Sequence, residues 1–211
     1  MIVLINPNST KAMTDAMVDT AKKTGVEVEG WTSHAGPAAI QGPEDGEASI
    51  PPLLTLVRKA SDAGAKAIII GCFADTGLDA AREIAACPVI GIGQAAYHIA
   101  VLSGLRFSVV TTLEVSVPIL ESNIRSYGFT SQLARVRASG VPVLDLETDP
   151  AGTAPVVMGE INRAVSEDKV NTIVLGCAGM VHIPAHFDKN GSVRLIDGVT
   201  SAAQLAMLLA K

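Results

Sequence analysis

Apolar residues rich in Val and Ile come in short runs along this chain, separated by longer stretches of mixed polarity. The runs fall at Ile2 to Ile5, Val26 to Trp31, Ala67 to Ile70, Val89 to Ile92, Phe107 to Thr111, Val141 to Leu146, Thr172 to Leu175 and Leu195-Ile196. Apolar runs of this length read as buried strands. The first helix between them is the plainest: Ser9 or Thr10 supplies an N-cap, and Met13, Met17, Thr20 and Ala21 then recur at helical intervals. Further helices are predicted over Pro51 to Gly64, Leu78 to Ala86, Gln94 to Gly104, Val115 to Tyr127, Pro155 to Glu167 and Ser201 to Leu209. Strands alternating with helices predict an α/β fold with mostly parallel sheets.

The series is written twice. "FSVVTTLE" from Phe107 stands where "IVLINPNST" stands from Ile2, 105 residues earlier; "GCAGM" answers "GCFAD" at the same offset, which sets Cys177 against Cys72; "AAQLAMLL" from Ala202 answers "AAYHIAVL" from Ala95 at an offset of 107. The expected organisation is two pseudo-symmetric half-domains, 1–95 and 96–211, each a four-stranded mostly parallel sheet flanked by helices. No linker rich in Gly, Ser or Pro divides them, so they should pack tightly, and the last helix of each half can cross over to cover the other. Ligands of parallel sheets sit beyond the carboxyl ends of the strands. The loops "NPNST", "GCFADTG", "TTLE" and "GCAGM" follow four of those ends, so they should converge on a cleft between the halves, with Cys72 on one wall and Cys177 on the other.

Composition narrows the partners. The chain has 211 residues, 48% of them apolar, but no apolar run approaches the roughly 18 to 20 residues that cross a bilayer. The start "MIVLINPNST" has neither a basic region nor a cleavage site, so a cytoplasmic location is expected and a membrane partner is not. A net charge of −5 without a Lys/Arg cluster argues against nucleic acid and leaves a small molecule as the expected partner. Three cysteines form neither a disulfide framework nor a CxxC pair. Cys87, before Pro88 at a strand start, reads as a core residue.

Cys72 and Cys177 read differently because of their shared context. Unpaired N–H groups at a helix start lower a thiol pKa, so either residue is a candidate thiolate near neutral pH. Two sulfurs facing each other across a small site would share one proton, because the first ionisation raises the cost of the second. One thiolate opposite one thiol suits inversion at a carbon next to a carbonyl: the base takes the proton from one face and the acid returns one to the other. No metal or organic cofactor is needed if fixed donors hold the enolate. Candidate donors are the backbone around Gly179-Met180 and Phe73-Ala74 and the hydroxyls of Thr111 and Thr112, with Asn6 and Asn8 orienting the substrate.

"NPNST", "GCFADTGL", "LGCAGM", "DGV" at 197 to 199 and "GPAAIQGPEDGEAS" at 36 to 49 resemble signature segments of the hydantoin and allantoin racemase branch of the aspartate/glutamate racemase superfamily. The resemblance spans nearly the whole chain. It implies a cofactor-independent racemase, with Cys72 and Cys177 as the catalytic acid and base, and assembly into a homo-oligomer. It further implies that Asn8, Phe73, Thr111, Thr112, Gly179 and Met180 surround the substrate and that Ile40 lies in a segment closing over it. Gln94, where the family often has an acidic residue, and "VHIPAHF" after Met180 depart from the pattern. The favoured substrate is a 5-substituted hydantoin or allantoin, inverted at C5; maleate isomerase and aspartate/glutamate racemase activities are the neighbouring alternatives. The four loops hold no Arg or Lys to anchor a carboxylate, which favours a neutral ring.

Readings of other classes have some footing. Gly91, Gly93 and Ala96 between a strand and a helix, with Glu114 about 20 positions on, match a dinucleotide fingerprint and would make the chain an NAD-dependent oxidoreductase. Four strands already precede that motif, which counts against it. Cys177, His182 and His186 offer zinc-ligand residue types, but Pro184 interrupts the helix that the two histidines would need to share. A peroxide-sensing thiol lacks a resolving cysteine nearby in sequence.

Overall fold

The computed structural model describes residues 1–104, 106–186 and 193–210, with His186 described by its backbone alone. Strands β1 (Ile2–Asn6), β3 (Ala67–Ile70), β5 (Phe107–Thr111) and β7 (Thr172–Leu175) are buried along their whole length. Strands covered on both faces must be apolar throughout, which is why most of these read as unbroken runs. They are flanked by β2 (Val28–Thr32), β4 (Val89–Gly91), β6 (Leu133–Ala138) and β8 (Arg194–Asp197). The strand order is β2-β1-β3-β4 in one sheet and β6-β5-β7-β8 in the other. Every pairing is parallel, so the sheets are parallel throughout and not merely for the most part.

The helices are α1 (Lys11–Lys22), α2 (Pro43–Asp62), α3 (Leu78–Ile84), α4 (Ile92–Ser103), α5 (Val117–Ser126), α6 (Asp145–Thr148), α7 (Pro150–Asp168) and α8 (Gly198–Leu209), with 3₁₀ turns at Glu114–Ser116 and Ala178–His186. Side chains alternate across each strand. Val3, Ile5, Ile68 and Ile70 face Leu53 and Val57 of α2, whereas Ile173 and Leu175 face Val157 and Ile161 of α7. The opposite faces, with Leu4, Ile69, Val109 and Val174, join one core with Tyr97, Phe107, Ile92 and Val199. Helices α4 and α8 pack on each other through Ala95, Ala96, Ala100, Ala202, Ala203 and Ala206; α4 also touches β7 and β8, and α8 touches β3 and β4. Among the described residues no helix is long and apolar enough to cross a membrane.

The strand expected over Val141 to Leu146 is absent. The ladder beside β5 is taken instead by Leu133–Ala138, and it ends where Gly140, at φ 79°, turns the chain away. Pro142 has no N–H to give a ladder, so Val141 and Leu146 pack into the second-sheet core as irregular chain and α6. The true strand was hidden by its charges. Arg137 is buried there because Asp168 grips it through two bonds of 2.7 and 2.6 Å, with Glu160 and Glu167 alongside. Helices α2 and α7 also start earlier than expected, at Pro43 and Pro150. Proline lacks only an N–H that the first turn leaves unpaired anyway, so both are good first-turn residues; Pro51 and Pro155 lie inside their helices.

Candidate active site

Both sheets deliver a Gly-Cys pair in the same way. Gly71 N–H donates to Ile5 O at 2.8 Å and Gly176 N–H donates to Val110 O at 2.8 Å, each extending the ladder one residue past the strand. A Cβ on Gly71 would lie 2.8 Å from Met17 Sδ, and one on Gly176 would lie 2.9 Å from Thr111 Cβ. The missing Cβ lets the chain pass this close to its neighbours without moving them, and the next residue then stands at the carboxyl edge. Cys72 and Cys177 line one cavity of about 50 Å³.

Of the residues expected around a substrate, Asn8, Ile40, Phe73, Thr111 and Thr112 line this cavity with the two cysteines. Gly179 and Met180 do not. The N–H of Gly179 is directed to the Cys177 sulfur, and the 3₁₀ turn carries Met180 inward among Leu146 and Ile183 in the second-sheet core. Asn6 is fully buried with its amide spent on Asn8 Oδ1 (2.9 Å) and Thr14 Oγ1 (3.0 Å), so it orients Asn8 and not a ligand. The amide nitrogen of Asn8 rests on Met13 Sδ at 3.6 Å, a weak contact that a carbonyl oxygen could displace. Thr111 donates to Gly176 O at 2.9 Å and so braces the Cys177 loop.

Sequence reasoning missed Met13, Ser116, Leu120 and Val143, which also line the cavity. Met13 and Leu120 carried only the ordinary signal of helix core positions. Val143 is there because the segment after Gly140 folds over the cleft, where its N–H donates to Gln41 Oε1 at 2.9 Å. The facing segment is tied down by Thr10, whose hydroxyl donates to Ala38 O at 2.8 Å instead of capping α1. A second, larger cavity of about 310 Å³ adjoins the first, sharing Ile40, Ala74 and Ser116 with it and bordered by Ile50 and Ile119.

Burial pushes the Cys72 thiol up; the Thr76 hydroxyl, 3.4 Å away, and the N–H groups of Ala74 and Thr76 pull it down. Burial pushes Cys177 up to about 12, opposed by one N–H, that of Gly179. The lowering expected from helix starts is therefore outweighed. Neither sulfur sits at the first turn of an α-helix: α3 begins only at Leu78, and a 3₁₀ turn follows Cys177. Cys87 lies elsewhere, half-buried at the edge of the first-sheet core.

The glycines of the supposed dinucleotide fingerprint have another use. A Cβ on Gly91 would overlap the Asp75 carboxylate, and one on Gly93 would sit 2.8 Å from its Oδ2. Asp75 fills the place at the start of α4 that a pyrophosphate would take. Gln94 is also outside the cavity lining, bonded through Oε1 to Arg82 at 2.6 Å. The side chain of His186 and the end of the "VHIPAHF" segment lie outside the described residues; among those described, no group of three or more His, Cys, Asp or Glu is placed to hold a metal ion.

A model of the Asp/Glu/hydantoin racemase family matches residues 2–206. The chain belongs to this family. It is 43% identical to a hydantoin racemase of Rhizobium meliloti over 211 residues, covering 99% of this chain and 88% of that one. A hydantoin racemase of Pseudomonas sp. (strain NS671) is 36% identical, with 97% and 84% covered. Among solved structures, an allantoin racemase from Klebsiella pneumoniae superposes with a TM-score of 0.94 at 36% identity, over 99% of this chain and 86% of that one. The protein is an isomerase of the racemase type, and the racemase family's fold is the two-sheet arrangement described above.

Proposed function

We propose that the protein racemises 5-substituted hydantoins or allantoin at C5, with Cys72 and Cys177 transferring protons on opposite faces of the ring. The observation that carries this reading is that both sulfurs line one cavity in which none of the described lining residues is charged. In one direction a thiolate takes the C5 proton, the electron pair moves into the adjacent carbonyl to give an enolate, and the opposite thiol returns its proton to the other face. The two sulfurs end with their protonation states exchanged, and proton exchange with water resets them. The reverse direction uses the same pair with roles reversed.

The donors around the sulfurs set the resting state. Cys72 has three donors and Cys177 has one, so of the two sulfurs Cys72 is the one on which a negative charge costs less. An uncharged lining suits a neutral imide ring better than an amino acid, whose carboxylate would need a cation. The weak contact of the Asn8 amide with Met13 Sδ supports its role as donor to the developing oxyanion. The test is to incubate each pure enantiomer of a 5-substituted hydantoin, and of allantoin, in D2O and follow optical rotation and deuterium at C5 together. Loss of rotation with deuterium entering the inverted product is expected. Absence of exchange with every hydantoin and with allantoin would remove this reading.

A further inference from the structure

Asp75 is the charged residue of the Cys72 loop, and it is buried. Its backbone is left-handed, with φ 53°, a conformation disfavoured for any residue with a Cβ. On either side of it, Ala74 and Thr76 donate their N–H groups to the Cys72 sulfur. Amides on either side of a left-handed residue form a concavity suited to an anion, here the thiolate, while the Asp75 N–H between them donates to Cys72 O at 3.0 Å.

The side chain of Asp75 holds this turn in place from outside. Its Oδ1 accepts from Gly93 N–H at 3.0 Å, and its Oδ2 accepts from Gln94 N–H at 2.7 Å and from the Tyr127 hydroxyl at 2.9 Å. Asn123 on α5 adds a bond of 2.7 Å to Ala74 O. A helix N-cap usually comes from the residue just before the helix. For α4 that residue is Gly91, and the capping carboxylate arrives instead from the loop that carries the thiol.

We propose that Asp75 is a positioning residue for Cys72: by clasping the first turn of α4 and Tyr127, its carboxylate holds the Ala74 and Thr76 amides on the sulfur. The proposal rests on the reading of Cys72 as a proton-transfer group. It assigns a reason to the two close-packed glycines, Gly91 and Gly93, which make room for the clasp. Charge alone predicts the opposite effect, because the Asp75 carboxylate near the sulfur disfavours a thiolate. Arg82 on α3 and the phenols of Tyr97 and Tyr127 are the other titratable groups that act on Asp75 or are acted on by it.

The test is alkylation of Cys72 and Cys177 by iodoacetamide, read separately by peptide mass analysis, in the parent protein, Asp75→Asn and Tyr127→Phe. Loss of positioning slows Cys72 by about tenfold in Asp75→Asn, the equivalent of one charge-assisted hydrogen bond, and leaves Cys177 unchanged. Tyr127→Phe, which keeps the Asp75 side chain and two of its three donors, slows Cys72 by about threefold. Faster alkylation of Cys72 in Asp75→Asn would mean that Asp75 acts only through its charge and would overturn the proposal. Equal change at both cysteines, or none at either, would do the same. If Asp75→Asn does not fold, Tyr127→Phe decides alone. This readout needs no substrate, so it stands apart from the D2O exchange on which the racemase reading depends.

Discussion

At the scale of residues, the two sulfurs differ in what reaches them, and that difference has a pH signature. Burial holds both thiols neutral beyond their ordinary range, with Cys177 pushed to about 12 and Cys72 relieved by three donors. A raised thiol pKa means that the folded state keeps its proton longer than the unfolded one. Stability from Cys177 is therefore fully present below the ordinary thiol value of 9.0 and is lost as pH rises toward about 12. The expected outcome is that iodoacetamide modifies Cys72 first as pH is raised, with Cys177 lagging well into the alkaline range. Peptide mass analysis across that range checks it, and Cys177 reacting first would reverse the order in which the two sulfurs ionise. The cysteines were legible in the sequence because their Gly-Cys context is repeated. Asp75 was not, since its partners Gly93, Gln94 and Tyr127 lie 18, 19 and 52 residues away and no spacing rule links them.

At the scale of elements, β6 shows where charge misleads a reading based on apolar runs. "LARVRA", with its two arginines, is not among the apolar runs read as strands, whereas Val141 to Leu146 is. What decides between them is a partner distant in sequence: Asp168, at the end of α7, which accepts from Arg137 and from Ser108 of β5. Burial alone would raise the Asp168 carboxyl, but the bonds from Arg137 and Ser108 outweigh it and hold the group below its ordinary value. Its contribution to stability is thus present above the ordinary carboxylate range and is lost as pH falls through and below it. Arg137→Ala removes the buried cation of that carboxylate, leaving only the largely exposed Arg135 at 3.6 Å, and is expected to cost about 3 kcal/mol. Arg137→Met with Asp168→Asn should recover much of the loss, because the uncompensated charge is gone. Urea unfolding of the parent and the two variants at neutral pH measures both; an Arg137→Ala cost within error of zero would mean that the ion cluster does not hold β6 in place.

At the scale of the whole molecule, the two sheets share one hydrophobic core. Leu4 and Ile69 of one sheet and Val109 and Val174 of the other belong to a single buried cluster, and α4 and α8 lie between the sheets with alanines facing each other. The approach is closest at the helix starts, where a Cβ on Gly198 would lie 2.5 Å from Ile92 O, a backbone atom that cannot step aside. A cavity walled by both sheets keeps its two sulfurs in register only while those helices stay packed. Two units that bury their surface in one core should also unfold in one step. Trp31, the sole tryptophan, lies on β2 and reports the first sheet, whereas far-ultraviolet circular dichroism reports helices from both. The two signals are expected to give superimposable urea transitions in the parent protein. Gly198→Ala should lower the common midpoint by an amount equivalent to about 1–3 kcal/mol, the usual range for overpacking, with the two curves still coincident. A tryptophan transition separated from the dichroism transition would mean that each sheet carries its own stability. The shared core would then be too weak to keep Cys72 and Cys177 on one cavity.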